Sequence, residues 1–220
     1  MNCRLLFLFL PIFALPFTNN DTCPTYSEIY ESHSLSSFNS TKYQGEWYII
    51  AHNEPTEPKF VYCDRMTWLL DDIKNKTFKE DMDTRVFNVI PLYTQASGVY
   101  DVDPTLPGLR TEGAPSVGFA LIPNMVLYVE RDKAIQASTG YEYTAAIVFS
   151  CKENYLFQKV FKSLQIFSRT PLPSDHPLID ELIQKAQDLG LEFDPSKMKR
   201  PQIKNCKYPP SRLPLDFQPK

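Results

Sequence analysis

A series of short apolar segments, separated by turn-forming residues, places the strongest constraint on the fold of this chain. The segments cover residues 47–51, 63–70, 85–90, 96–100, 117–122, 125–129, 134–137, 143–149 and 160–167. Eight or nine short strands with turns between them indicate an all-β sandwich or barrel. Prolines interrupt residues 101–123, so the placement of strands in that region stays open.

One amphipathic helix follows the last predicted strand. Pro177 suits its first turn, because the N–H that proline lacks would have no partner there. Gly190 marks its end, and an apolar stripe recurs between them at helical spacing: Leu178, Ile179, Leu182, Ile183, Ala186 and Leu189. A single helix can cover such a stripe only against the outer face of the sheet. Residues 207–220 are rich in proline and are predicted to form a loose C-terminal tail.

The N-terminus has the pattern of a cleaved secretory signal peptide, predicted to cover residues 1–18. One positive charge at Arg4 precedes an apolar run at 5–15, which is shorter than the about 20 residues needed to span a bilayer. No later segment is long and apolar enough to cross a membrane. We therefore expect a secreted, extracellular protein.

The charge balance argues against several classes of partner. The formal net charge is −3 at pH 7, and loss of Arg4 with the leader would make it about −4. No basic patch stands out from the sequence, which disfavours nucleic acid and anionic membrane surfaces as partners.

The cysteine content agrees with an oxidising compartment. Cys3 leaves with the leader, and the four remaining residues are Cys23, Cys63, Cys151 and Cys206. An even number predicts two disulfides, for which three connectivities are open. The spacing fits no zinc pattern, and no metal or other cofactor is expected. Three N-glycosylation sequons begin at Asn20, Asn39 and Asn75, so we expect a glycoprotein with these asparagines on its surface.

The sequence contains no catalytic pattern. Its three histidines are His33, His52 and His176, and none has a partner at a catalytic or metal-binding spacing. His176 precedes Pro177 at the predicted start of the helix and is expected at the surface. No nucleophile elbow is present either, so the chain is not predicted to be an enzyme.

Gly45 and Trp47 open the first predicted strand and lie on the same face of it. Glycine in a strand usually marks a bend or a close approach of two chain segments. A barrel of about eight strands is wide enough for one small ligand, and one end of such a barrel must be closed. Trp47 is a candidate plug, and Arg169 after the last strand can stack on the indole by a cation–π contact.

Three segments resemble motifs of the lipocalin family, most closely its apolipoprotein D-like group. They are residues 42–48 (KYQGEWY), residues 139–151 (TGYEYTAAIVFSC) and residues 168–171 (SRTP). The resemblance implies an eight-stranded antiparallel up-and-down β-barrel over residues 19–206, with the C-terminal helix packed outside. It implies a carrier that binds and transports a small hydrophobic ligand, which is a fatty acid, sterol, retinoid, carotenoid or bilin. The chain departs from the family pattern at Gly140, where an aspartate is usual, and its residues 101–123 do not align with the family.

The resemblance also implies a disulfide pairing and a set of pocket residues. The pairs are Cys23–Cys151 and Cys63–Cys206. The two-residue period from Trp47 predicts that Ile49 and Ala51 face inward. The register of the family adds Met66, Trp68, Leu70, Phe161 and Phe167.

Two other functions stay open at this point. The loops at the barrel mouth, or the proline-rich tail, would serve a protein-recognition module whose partner is a cell-surface receptor or another protein. A lipocalin-type isomerase is the weaker alternative, because it needs a free cysteine in the pocket and all four mature cysteines are assigned to bridges.

Overall fold

The structure is a computed structural model of the chain. It describes residues 22–29, 35, 38–55, 57, 61–87, 89–113, 121–155, 158–201 and 206–214. The predicted leader, Asn20, His33 and the last part of the predicted tail lie outside these residues.

Eight antiparallel strands form a closed barrel in which each strand pairs with its neighbours in sequence and β1 pairs with β8. Their bounds are β1 Gly45–His52, β2 Val61–Asp72, β3 Thr77–Val86, β4 Ile90–Tyr100, β5 Leu109–Gly113, β6 Ile122–Glu130, β7 Ala145–Tyr155 and β8 Gln158–Ser168. The predicted all-β class is confirmed, and the barrel rather than the sandwich is the architecture. Closure gives every strand two neighbours, which protects an all-β chain against edge-to-edge association.

Three strand predictions differ from the structure. β3 was not predicted, because its inward positions include Glu80 and Thr84 and the segment therefore lacks an apolar alternation. Residues 85–90 were predicted as a strand, but they contain the turn that joins β3 to β4. Residues 134–137 belong to a helix, for which Asp132 supplies the N-cap and accepts hydrogen bonds from the N–H groups of Ala134 and Ile135.

Four α-helices are present among the described residues: α1 Tyr26–Ile29, α2 Ser40–Tyr43, α3 Lys133–Thr139 and α4 Pro177–Asp188. A 3₁₀ turn follows at Pro195–Lys197. The predicted C-terminal helix is confirmed as α4, with Pro177 in its first turn and His176 as its N-cap. In the part of the chain that the structure describes, no helix is both long and apolar enough to span a bilayer.

The apolar side chains divide into two groups on opposite faces of the barrel wall. The outer cluster joins the buried stripe of α4 to outward-facing residues of β6, β7 and β8: Ile179, Leu182, Ile183 and Ala186 pack with Leu127, Ile147, Leu164 and Ile166. The helix therefore lies against the outside of the barrel, as predicted. The inner cluster lies on the opposite face of the wall and is described below.

Two disulfides tie chain segments outside the strands to the barrel. They are Cys23–Cys151 and Cys63–Cys206, the pairing implied by the resemblance. Each bridge closes a loop of more than a hundred residues, with sequence separations of 128 and 143. Such loops lose the most chain entropy when they are closed in the unfolded state.

The expectation of a loose tail is wrong for residues 207–214, which the structure places against β1, β2 and β3. The ring of Tyr208 packs edge-on against Tyr48 at 5.2 Å between ring centroids. Arg212 Nη2 lies 3.2 Å from a carboxylate oxygen of Asp83, and Leu213 is buried. This part of the proline-rich segment is therefore packed on the barrel.

Candidate functional site

The interior of the barrel is lined by a second apolar group, the inner cluster. Its buried members are Leu35, Tyr43, Trp47, Ile49, Met66, Trp68, Phe78, Tyr100, Val126, Val129, Tyr143, Ala146, Val148 and Phe167, with Phe38, Leu70 and Met82 packed against them. Many of these side chains are aromatic. The strands place them inside because successive residues alternate between the two faces of the wall.

The structure brings most of the predicted pocket residues together in the inner cluster. Trp47, Ile49, Met66, Trp68, Leu70 and Phe167 all belong to it. Phe161 is buried and lies six residues before Phe167 on β8, in a stretch where β7 and β8 pair without a bulge. Because side chains alternate along a strand, Phe161 faces the same side of the wall as Phe167. The prediction that Ala51 faces the interior is wrong. The register of β1 with β8 shifts between Ile49 and Ala51, and Ala51 packs in the outer cluster.

Trp47 and Arg169 meet at one end of the barrel. The guanidinium carbon of Arg169 lies 3.5 Å from the centroid of the Trp47 ring and 3.9 Å from that of Tyr141. The cation is therefore held between two aromatic rings, one from β1 and one from the segment before β7. Tyr43, from α2, lies beside Trp47 with 4.7 Å between the ring centroids and the rings tilted by 30°.

Arg169 also donates hydrogen bonds to backbone carbonyl groups around this end. Its Nη1 donates to Glu46 at 2.8 Å, its Nη2 to Gln44 at 2.9 Å, and its Nε to Tyr143 at 3.0 Å. These contacts join the segments that enter β1 and β7 to the exit of β8. Burial lowers the pKa of Arg169 to about 9, so the side chain stays charged at neutral pH.

Position 45 requires glycine, because the ring of Tyr141 occupies the space that a side chain would need. The φ of Gly45 is +114°, and a Cβ placed on it would lie 2.6 Å from the ring of Tyr141. The close approach that the sequence predicts at Gly45 is therefore made by Tyr141, the ring that covers the other face of Arg169. Gly140 serves a different purpose, because its φ of +76° ends α3 in the left-handed conformation.

A cluster of charged residues lies in the barrel interior, and the sequence analysis did not identify it. Arg110 on β5 is buried, and its guanidinium carbon lies 5.4 Å from the ring centroid of Tyr43 and 5.8 Å from that of Trp68. Its Nε lies 3.3 Å from Glu112 Oε2. Glu80, on β3 directly opposite Trp68, is 6% exposed. A charged residue at an inward position was the available signal, but it required knowledge of the register of β3 and β5.

Several polar atoms of this cluster have no hydrogen-bond partner among the described residues. They include Glu80 Oε2, Glu112 Oε2, Arg110 Nη1 and Trp68 Nε1. Burial raises the pKa of Glu80 to about 8, with a further contribution from Glu112, while Arg110 acts in the opposite direction. Burial likewise raises the pKa of Glu112.

A second polar group lies at the far end of β1. His52 is buried, its Nε2 lies 3.3 Å from Glu57 Oε1, and burial lowers its pKa to about 3. Burial raises the pKa of Glu57 to about 8. A cavity of 260 Å³ adjoins His52, with Tyr62 and Lys199 also in its wall. No predicted pocket residue lines it.

The remaining predicted sites lie at the surface. Asn39 and Asn75 are both exposed. Asn39 is also the N-cap of α2, because its Oδ1 accepts a hydrogen bond from the N–H of Thr41 at 2.8 Å. Within the described ranges, no three His, Cys, Asp or Glu side chains are grouped as metal ligands would be.

Comparison with known proteins gives a likeness of structure alone. No protein-family profile and no curated protein sequence matches the chain. Apocrustacyanin C2 is similar with a TM-score of 0.53 and 16% identity over 76% of this chain and 81% of that chain. Lobster apocrustacyanin A1 gives 0.52 and 16% over 82% and 84%. Insecticyanin of the tobacco hornworm gives 0.51 and 14% over 76% and 82%. These proteins are lipocalins, and the barrel with its C-terminal helix has the lipocalin fold.

Proposed function

We propose that this chain is a secreted carrier of a small hydrophobic ligand, built as an apolipoprotein D-like lipocalin. The observation that carries the proposal is the inner cluster within the barrel, at one end of which Arg169 lies on the ring of Trp47. The three motifs that resemble the apolipoprotein D-like group support the finer assignment. The predicted leader, the two disulfides and the exposed sequons at Asn39 and Asn75 support secretion.

The binding energy comes from transfer of apolar ligand surface out of water into the barrel. This transfer is worth about 25 cal/mol for each Å² that is buried. Phe78, Tyr100 and Phe167 supply broad apolar surface at little cost in side-chain entropy. Fatty acid, sterol, retinoid, carotenoid and bilin are the ligand classes that we propose to compare.

The closed end gives the cavity a floor and the opposite end an entrance. Strand β1 begins at the floor, so residues 53–55 and the C-terminal ends of β3, β5 and β7 lie at the entrance. A ligand that enters there reaches the inner cluster without disturbing the contacts of Arg169. Binding is therefore expected to leave the floor intact.

Native mass spectrometry of the protein secreted from eukaryotic cells tests the proposal, before and after organic extraction. A discrete apolar mass that leaves on extraction would support the carrier function and name the ligand class. A barrel that is empty, and that also ignores added fatty acids, retinoids and bilins, would contradict it. Retention of the protein inside the cells would contradict secretion.

A protein-recognition function is the second candidate, because the β3–β4 turn at the entrance exposes apolar side chains. Phe87 is 62% exposed, Val89 is 72% and Ile90 is 57%. The partner would be a cell-surface receptor or another protein. Binding of labelled protein to cells tests this function: Val89→Asp should abolish it, whereas Val102→Asp, at an exposed position near the opposite end, should not. An isomerase is disfavoured, because all four cysteines after the leader are in disulfides.

A further inference from the structure

We propose that the ligand of this barrel is an organic amine, and that Glu80 and Glu112 hold its ammonium group near the barrel floor. The inference rests on the proposed carrier function and names the ligand class more narrowly. The two carboxylates and Arg110 project into the same interior, where aromatic rings form the remaining surface.

The geometry leaves acceptor atoms available for a donor that the protein does not supply. Glu80 Oε2 is buried and has no hydrogen-bond partner among the described residues. Glu112 Oε2 is also buried, and it lies 3.3 Å from Arg110 Nε without the geometry of a hydrogen bond. Glu80 itself is 6% exposed and makes no ion pair within the described ranges. A buried carboxylate oxygen without a donor is costly, and an ammonium group supplies three donors.

Strand β4, which runs between the two glutamates, carries small residues beside them. Ala96 lies opposite Glu80, and Gly98 lies opposite Glu112. Neither has a side chain larger than a methyl group. Gly98 cannot be enlarged, because a Cβ on it would lie 1.7 Å from the carbonyl oxygen of Thr111. The crowding at Gly98 comes from the backbone of β5, and at Ala96 only a methyl group stands beside Glu80.

The charge balance favours a cation over an anion. Two glutamates face one arginine, and Arg110 Nε is already 3.3 Å from Glu112 Oε2. Glu80 is left without a close counter-ion. Burial raises its pKa to about 8, with a further contribution from Glu112, so it holds a proton at neutral pH in the empty barrel, and an ammonium group would supply the counter-ion that its ionised form lacks. A ligand carboxylate would add a negative charge beside Glu80 and Glu112 and would oppose ionisation of Glu80. An alcohol would satisfy Trp68 Nε1 and Glu80 Oε2 but would supply no counter-ion.

The surroundings of Glu80 make amine binding dependent on protons. The charged and titratable groups that act on it are Arg110 and Glu112 from β5, Tyr43 from α2 and Asp81 from its own strand. An ammonium beside Glu80 favours the ionised carboxylate and so lowers its pKa. At pH 7, below the pKa of about 8 in the empty barrel, amine binding must therefore release a proton from Glu80.

The test compares three probes with the same hydrocarbon chain, namely decylamine, decanol and decanoate, by calorimetry on the full secreted chain after extraction. Titrations at pH 7 in phosphate and in Tris separate the heat of proton release from that of binding. We expect decylamine to bind most tightly, with close to one proton released for each amine. Its affinity should rise with pH up to about 8.

Glu80→Gln keeps the shape of the side chain and removes its charge. We expect it to weaken decylamine binding by about tenfold or more, to abolish the proton release and to spare decanol. Glu181→Gln, at an exposed position of α4, is the matched control and should change neither. The proton count on the unaltered protein needs no variant, so the inference stays testable if Glu80→Gln does not fold.

The outcomes separate the two proposals. Decanol or decanoate binding with no preference for the amine, or amine binding without proton release, would overturn the amine site and leave the carrier function standing. Failure of all three probes, together with an empty barrel in the mass spectrum of the secreted protein, would overturn the carrier function itself.

Discussion

Arg169 lies with its guanidinium carbon 3.5 Å from the centroid of the Trp47 ring, which places a charge from the end of β8 directly on an indole from the start of β1. The two residues are buried together at the seam where the first strand pairs with the last. Cation–π contacts of this kind are worth roughly 2 kcal/mol or more when they are removed from water. We therefore expect the contact to stabilise closure of the sheet.

Trp47→Ala and Arg169→Ala are each expected to lower the free energy of unfolding by about 3–5 kcal/mol. The first leaves a cavity in the barrel floor, and the second leaves several backbone carbonyl groups without their donor. Urea denaturation measures both. Affinity for a ligand bound near the entrance should be retained wherever the variants fold. Unchanged melting temperatures in the pair would remove the role of this contact in closing the barrel.

Gly45→Ala is expected to destabilise the fold more than Gly140→Ala. Both glycines have positive φ, so both substitutions carry backbone strain of about 1–2 kcal/mol. A Cβ at position 140 meets no atom within 4 Å, whereas one at position 45 meets the ring of Tyr141 at 2.6 Å. Thermal unfolding of the two variants separates strain from collision. Equal losses would mean that Tyr141 moves aside without cost.

The two disulfides are expected to contribute similar stability but to protect different parts of the chain. Their sequence separations of 128 and 143 give almost the same chain-entropy term, and removal of either should cost about 2–5 kcal/mol. Replacing Cys63 and Cys206 with serine should also release residues 206–214, in which Lys207 and Arg212 are tryptic sites. The matched variant, with Cys23 and Cys151 replaced by serine, should leave those sites protected. Equal tryptic cleavage in both variants would contradict the packing of this segment.

The sequence predicted most of the strands but not all of the residues that face the barrel interior. The apolar alternation of β1, β6, β7 and β8 indicated strands, and the spacing of α4 indicated its helix. Strand β3 was not predicted, because polar Glu80 and Thr84 occupy two of its inward positions. Which positions face inward becomes known only from the closed barrel. Ala51 was assigned inward because a bulge changes the parity of a strand without any mark in the sequence.

The candidate site was likewise predicted only in part. Trp47 and Arg169 belong to recognisable segments, so their proximity was predicted before the fold was known. The charged cluster was not predicted, because Glu80, Arg110 and Glu112 come from strands that do not look apolar. Only the pairing of β3 with β4 and of β4 with β5 brings these side chains to one interior.

The stability of the protein is expected to fall as the pH rises from about 4.5 to about 8. Burial raises the pKa of Glu57 from 4.5 to about 8, so between these values the folded state binds a proton that the unfolded state has lost. Stability from this proton is complete below pH 4.5 and is lost as the pH passes the folded value. Glu80 acts in the same direction over the same range.

His52 acts on the acid side with the opposite sign. Its pKa is lowered from 6.5 to about 3 in the folded state, so the unfolded state binds the extra proton as the pH falls from 6.5, and stability is lost in that direction. Urea unfolding from pH 4 to pH 9 measures the balance of the three groups. Glu57→Gln should flatten the decline between pH 6.5 and pH 8, where His52 is neutral in both states. Glu181→Gln, exposed on α4, should keep the slope of the unaltered protein. A slope that Glu57→Gln leaves unchanged would mean that Glu57 is ionised in the folded protein at neutral pH.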